Sequence, residues 1–401
     1  MPHLSPSPRI RPTPVPGVTA ATLSALIDRR QGHFEAFEEA AARMLGTRHA
    51  VLTGSGRTGL GVMLDHQGCK PGDEVVVPSY TAPCVPGYLR ARGYRLRIAD
   101  VCPRRLVMTG ETAAAAVGPD TRAIIPTHVE GVTAPMAEIV AALPPGVTVI
   151  EDAAHALGAE ADGEPVGTYS AGAFHSFGKG KQLNLVFGGL VVTNDESIAA
   201  ATRAVRDALP PPARARLLSA MAIELGLAAA THPSLYPFFL HPVIRAFDRF
   251  GVDLPTLLFE DGGGDAPPTA GQRPPAAWAA LGLEQLAAFP AARERRRHTA
   301  EVLRQALAER GLPHQESNGP GDHPLFLTVF HPRRDEVRRA LLAAGQDTQA
   351  TWMRSIAADD GRRDEVAERA EREGFYLPLH VGLPPQELMA ALDRAIDSVP
   401  T

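Results

Sequence analysis

Residues 150–193 read IEDAAHALGAEADGEPVGTYSAGAFHSFGKGKQLNLVFGGLVVT, and this stretch decides the fold. An apolar run, VTVI, ends in the acids Glu151 and Asp152. A second run, GAFHSF, leads to two lysines, Lys179 and Lys181, and GGLVVT follows. Working outward, the same rhythm recurs. The helical stretch FEAFEEAAARML precedes the short Val- and Ile-rich runs HAVLTG, DEVVVPS and AIIPTH. Short apolar strands alternating with helices predict βα units and a mostly parallel sheet covered on both faces. In such sheets ligands bind beyond the carboxyl ends of the strands. The places to search are therefore just after VLT, VVVPS, IIPTH and VIEDA.

Toward the chain ends the pattern changes. Residues 1–19 are Pro-rich, lack the apolar core of a secretory signal and read as an extended arm. Residues 20–255 form the expected large domain, and 256–401 a smaller α/β domain. Within the first, ARARLLSAMAIELGLAAATHPSLYPFFLHPVIRAFDRFGV is apolar and broken by prolines. It predicts helices buried at a subunit interface, with peripheral membrane contact as the other reading. EDGGGDAPPTAGQRPP reads as a loop or domain junction, and AAWAALGLEQLAAF and ARERRRHTAEVLRQALAERG as two helices, the second ending at Gly311.

Composition excludes several function classes. The formal net charge of -5 and an aromatic content of 5% give neither the basic excess nor the stacking platforms of a nucleic-acid binder. No uninterrupted apolar run is long enough to span a membrane. Cys69, Cys84 and Cys102 form no paired motif, which predicts neither a disulfide framework nor a zinc site and fits a reducing, cytoplasmic setting. His232 and His241 lack ligand spacing, so no metal is expected. ARERRRH reads as a solvated helix face.

Asp152 at a strand end, a lysine in a Gly-rich loop and hydroxyls beside glycines are also what a pyridoxal-phosphate site requires. An acid must keep the pyridine nitrogen protonated, a lysine must lose its proton to bind the aldehyde, and backbone N–H groups must receive the phosphate. Taken singly, an Asp there also caps helices, and a loop Lys is usually just solvated. Gly54, Ser55 and Gly56 suit a phosphate-receiving turn, or simply a tight one.

Taken together, EDAAHALGA followed by SFGKGKQLNLVFGG resembles the DegT-type sugar aminotransferases, a branch of the aspartate-aminotransferase fold. FEAFEEAAARMLGTRHAVLTGSGRTGL, PGDEVVVPSYTAP, IIPTHVEGVTAPM and FYLPLHVGLPPQELMAAL are similar to further family segments. The resemblance implies a three-layer α/β/α transferase fold and pyridoxal 5'-phosphate held as a Schiff base by Lys181 rather than Lys179. It implies Asp152 on the pyridinium nitrogen, His155 beside the ring and Ser176 on the phosphate. It also implies a homodimer with shared sites, Arg273 coming from the second copy. Tyr80 and His128 are candidate substrate residues; packing at a strand end and a hydrogen-bonded structural role are the plainer alternatives.

This chain departs from the family pattern in places. Ala82 stands where an aromatic ring usually covers the cofactor, and Arg57 where a phosphate-loop Thr is usual. Gly271 replaces an Asn, and the common Arg-x-His-Gly is absent around Arg206. Arg57 is a candidate to offset the lost phosphate contact, because a guanidinium binds phosphate well.

The expected function is transfer of an amino group from glutamate or glutamine to a keto-sugar, nucleotide-linked by analogy, in secondary-metabolite (antibiotic-type) or polysaccharide biosynthesis. The alternatives are the same cofactor acting on a non-sugar keto or amino metabolite, including β- or γ-elimination, and a non-catalytic binder of the cofactor.

Overall fold

The computed structural model describes residues 32–178, 180–232, 234–252, 271–346, 348–379 and 384–399. The expected arm at 1–19, the domain boundary at 255/256 and Lys179 lie outside the described residues.

One twisted sheet organises the large domain. The parallel ladder runs Arg95–Ala99, Glu74–Pro78, Thr121–Ile124, Thr148–Val149. A bridge from Thr127 to Asp152 carries the pairing past Ile150 into Glu151–Asp152, so the two short segments act as one interrupted strand. From there the sheet continues through Ala173–Ser176, Gly189–Thr193 and His49–Thr53. Only Gly189–Thr193 runs against its neighbours, antiparallel to both. Val75, Val76, Val77, Ile124, Ile150 and Val191 are buried in it, as expected for strands covered on both faces.

Helices cover the sheet, and their ends are set by local chemistry. Ser55 caps the helix Gly56–His66 by accepting from Thr58 N, and Asp195 caps Glu196–Ala208 through Ser197 N. The buried carboxylate of Glu38 accepts from Leu52 N at 2.9 Å and is neutralised by Arg206, clamping the helix Gly32–Leu45 to the strand His49–Thr53.

The expectation of two helices around residue 290 is corrected. A single helix runs Ala276–Glu309 with Pro290 inside it. A proline costs one backbone hydrogen bond, but here each half of the helix is anchored in its own core. Trp278, Leu281, Leu286 and Phe289 pack with Phe34 and Phe37 of the large domain. Ala300, Leu303 and Leu307 pack with Leu327, Leu341 and Leu392 of the small one. That smaller unit is an antiparallel sheet, Phe326–Phe330, Gly374–Pro378, Gln349–Ala350, flanked by helices.

A further ladder stitches the two units: Tyr80–Thr81 pairs with Arg354–Ser355, and Ile356 N donates to Ser79 O at 2.8 Å. The small unit is thus held against the carboxyl ends of the large sheet.

Candidate active site

The strands that end at Thr53, Asp152 and Ser176, and the bridge residue Thr127 beyond Ile124, bring their carboxyl ends to one edge of the sheet. The turn after the first, Gly54–Ser55, runs into the helix at Gly56, and a helix N-terminus favours an anion. The opposite wall comes very close. A Cβ on Gly189 would sit 2.2 Å from Gly56 N, and one on Gly56 would sit 2.9 Å from His175 O. Only glycine permits this approach, and Ser176, paired with Gly189, is thereby set beside the turn.

Asp152 is 2% exposed. Burial pushes its carboxyl above the ordinary carboxylate value, while the Ala154 N–H and the charges of His155 and Lys181 pull it down. Cys84, at the start of the helix Cys84–Ala91, has its thiol raised by burial and feels Arg57, Asp152 and Lys181 at once. Those three groups therefore lie within electrostatic reach of Cys84. Ala82 lies partly buried near by in sequence, with no ring to offer.

Lys181 sits in a loop closed at its neck by Phe177 N donating to Gly188 O and Leu185 N donating to Phe177 O, each at 3.0 Å. Gln285 of the long helix grips that loop, its side-chain amide exchanging two hydrogen bonds with the backbone of Asn184. Val186 is held at φ 70 while its N–H donates to Asn184 Oδ1. A β-branched residue in the left-handed region is strained, so the loop is fixed by its surroundings rather than by preference. Lys181 Nζ lies 5.1 Å from the ring centroid of Trp352, over its face.

His155 is buried, with Nδ1 3.1 Å from Glu130 Oε2. Its ring meets Trp352 edge-on, and Gln182 donates to its backbone carbonyl. His128 is wholly buried. Its Nδ1 accepts from Ala134 N at 3.0 Å, so Nε2 carries the proton and donates to Glu151 Oε2 at 3.1 Å. Glu151 is further satisfied by Ser170 Oγ and Gly167 N.

Tyr80 is 1% exposed in the main core, and burial pushes its phenol well above the ordinary value. The structure thus places Tyr80 and His128 in supporting rather than open positions. The Arg273 N–H donates to Pro210 O.

Reading the sequence missed Glu130, Trp352 and Tyr376. Glu130 stands just past a strand end, where a search for acids would have found it. Trp352 and Tyr376 come from the small unit, and no spacing in the chain links them to the large sheet.

The described residues fit pyridoxal phosphate. The glycine-lined turn could receive an anion beside Ser176, and Lys181 and Asp152 could supply the amine and the acid. Buried polar atoms without an aligned hydrogen bond remain at Glu130 Oε2, His155 Nδ1 and Trp352 Nε1. Among the described residues there is no cluster of metal ligands.

The model of the DegT/DnrJ/EryC1/StrS aminotransferase family matches residues 15–214 and 273–393. A solved structure of DesI in the presence of its TDP-sugar product is 26% identical, with a TM-score of 0.68, covering 97% of this chain and 90% of that one. DesV of S. venezuelae, solved in complex with a ketimine intermediate, is 27% identical with a TM-score of 0.69, covering 94% and 92%. A GDP-4-keto-6-deoxymannose-3-dehydratase, 18% identical with a TM-score of 0.73 and covering 96% and 98%, shares the fold. Protein MosB of Rhizobium meliloti is 35% identical over 189 residues, which is 45% of this chain and 36% of that protein. The match therefore spans about a third of that relative's length.

Proposed function

Because this chain belongs to the DegT/DnrJ/EryC1/StrS aminotransferase family, a family of pyridoxal-phosphate enzymes, we propose that it moves an amino group from glutamate or glutamine to a nucleotide-linked keto-sugar. The pathway would be the biosynthesis of a secondary metabolite or a polysaccharide, in the cytoplasm. The observation that carries this reading is the close approach of Gly189 and the strand Ala173–Ser176 to the helix N-terminus at Gly56, with buried Asp152 ending the adjoining strand and Lys181 in the loop that follows. The sugar-bound relative at 26% identity supports the substrate class.

Pyridoxal phosphate, when bound, supplies an electron sink for the pair left behind when a proton leaves the carbon bearing the amino group. The residues of this chain do the rest. Gly54, Ser55, Gly56, Arg57 and Ser176 hold the phosphate. Asp152 keeps a proton on the ring nitrogen, a task that needs the carboxylate ionised. Lys181 Nζ would be the amine that holds the aldehyde group and would serve as the base for the α-proton of the donor. The face of Trp352 next to Lys181 shields this amine from water and replaces apolar cover that Ala82 does not give.

The assembly is a homodimer in which Arg273 reaches the site of the second copy. Among the described residues, nine of the eleven exposed large hydrophobics lie between Leu218 and Phe250, a concentration that fits a subunit contact.

Borohydride reduction of the yellow holoprotein, followed by peptide mapping, tests the anchor: the label belongs on Lys181. Glutamate should bleach the visible band, and a TDP-linked 4-keto sugar should restore it. Label on another lysine, or none, removes the reading.

A further inference from the structure

Glu130 is an unusual residue where it stands. It has φ 54 and ψ 22, the left-handed region, and is followed by Gly131 at φ 83. Gly131 has no choice, since a Cβ there would lie 2.1 Å from His323 O. Glu130 has no such excuse: a branched-free but charged side chain is held in a conformation costing about 1 kcal/mol and is then buried to 1% exposure.

Its two oxygens have different partners. Oε1 accepts from the Tyr376 hydroxyl, which itself accepts from Trp352 N at 2.9 Å. Oε2 faces His155 Nδ1 at 3.1 Å. Among the described residues His155 is the one group within ion-pair distance that can carry a positive charge to it. A buried carboxylate without a cation is costly.

We propose that Glu130 is a positioning residue that keeps the imidazole of His155 protonated beside Asp152, as the counter-charge that lets that buried acid stay ionised. The inference rests on the reading of the site given above. Asp152 needs such help, because the same burial that makes it strong toward a ring nitrogen favours its neutral form. The relay also ties the cofactor region to the small unit: the Trp352 N–H, the Tyr376 hydroxyl, Glu130 and His155 form one chain of contacts. The other titratable groups within electrostatic reach are Lys181, His128 and Cys84 about Asp152, and Tyr80 about Glu130, with Glu371 and Arg354 acting on Tyr80.

The test is the visible spectrum of the holoprotein followed against pH, together with pyridoxal phosphate affinity measured by equilibrium dialysis. Glu130→Gln keeps the shape and removes the charge. It should move the acid-side spectral transition up by about one pH unit and weaken cofactor binding about tenfold. Tyr376→Phe, which removes only the hydroxyl donor to Glu130, should shift the transition the same way by less, and it serves if Glu130→Gln does not fold. An unchanged transition in the folded variants overturns the proposal. Failure of the functional reading shows separately, as a wild-type protein in which borohydride fixes no cofactor on Lys181.

Discussion

At the residue scale, the decisive positions are those where a single atom more or less changes what fits. Gly189 is one. The alanine methyl of Gly189→Ala would meet Gly56 N at 2.2 Å, so strand and helix must separate. Overpacking of this kind costs about 1–3 kcal/mol; thermal melting should show that loss, and cofactor uptake should weaken because the same contact shapes the phosphate turn. Trp352 is another. The chain has two tryptophans; Trp278 is buried in the main core, and Trp352 lies against Lys181. Adding pyridoxal phosphate to the cofactor-free protein should therefore quench tryptophan emission, and Trp352→Phe should lose most of that quenching while keeping its fold. Arg57→Ala should weaken cofactor binding about tenfold, the loss of one charge-assisted contact; equal affinity in wild type and variant removes Arg57 from the phosphate site.

At the element scale, the strand Ala173–Ser176 carries a built-in acid sensitivity. His175 Nδ1 donates to Ala153 O at 2.9 Å, its Nε2 is buried without a partner, and burial lowers its pKa from 6.5 to about 4. The folded chain thus resists a proton that the unfolded chain accepts. Stability contributed by the neutral ring is complete above pH 6.5 and is lost as pH falls from there toward 4, at up to ~1.4 kcal/mol per pH unit. Melting temperatures of His175→Gln measured between pH 7 and pH 5 should fall less steeply than those of the wild type. The helix Ala276–Glu309 shows what element-level reading misses. The two helices read from the sequence on either side of Pro290 are one continuous helix, because the packing of Phe289 on one side and Ala300 and Leu303 on the other outweighs one lost hydrogen bond.

At the scale of the whole molecule, the question is what covers the apolar helices Arg214–Ala230 and Leu240–Asp248. Phe238, Phe239 and Phe250 are 76%, 66% and 84% exposed in the single chain, and neither helix is long and apolar enough to cross a membrane. A homodimer that buries them predicts a dimeric mass by light scattering at micromolar concentration. Phe238→Ser combined with Phe250→Ser should shift that mass toward the monomer. A wild-type monomer would count against the shared-site reading of Arg273 as well.

Much of this was legible in the chain itself. A parallel sheet follows from periodicity alone, because strands covered on both faces must be apolar throughout. Asp152 and Lys181 became candidates through the resemblance of EDAAHALGA and SFGKGKQLNLVFGG to a family; position in the pattern alone left a helix cap and a solvated lysine as plainer readings. What only the tertiary structure decided are the contacts between groups far apart in sequence. Glu130 with Tyr376 and Lys181 with Trp352 meet because the small unit docks on the ends of the large sheet. The closed partners of His128 were decided there too. Local pattern reports which face of an element is apolar; it carries no information on which distant side chain will be laid against it.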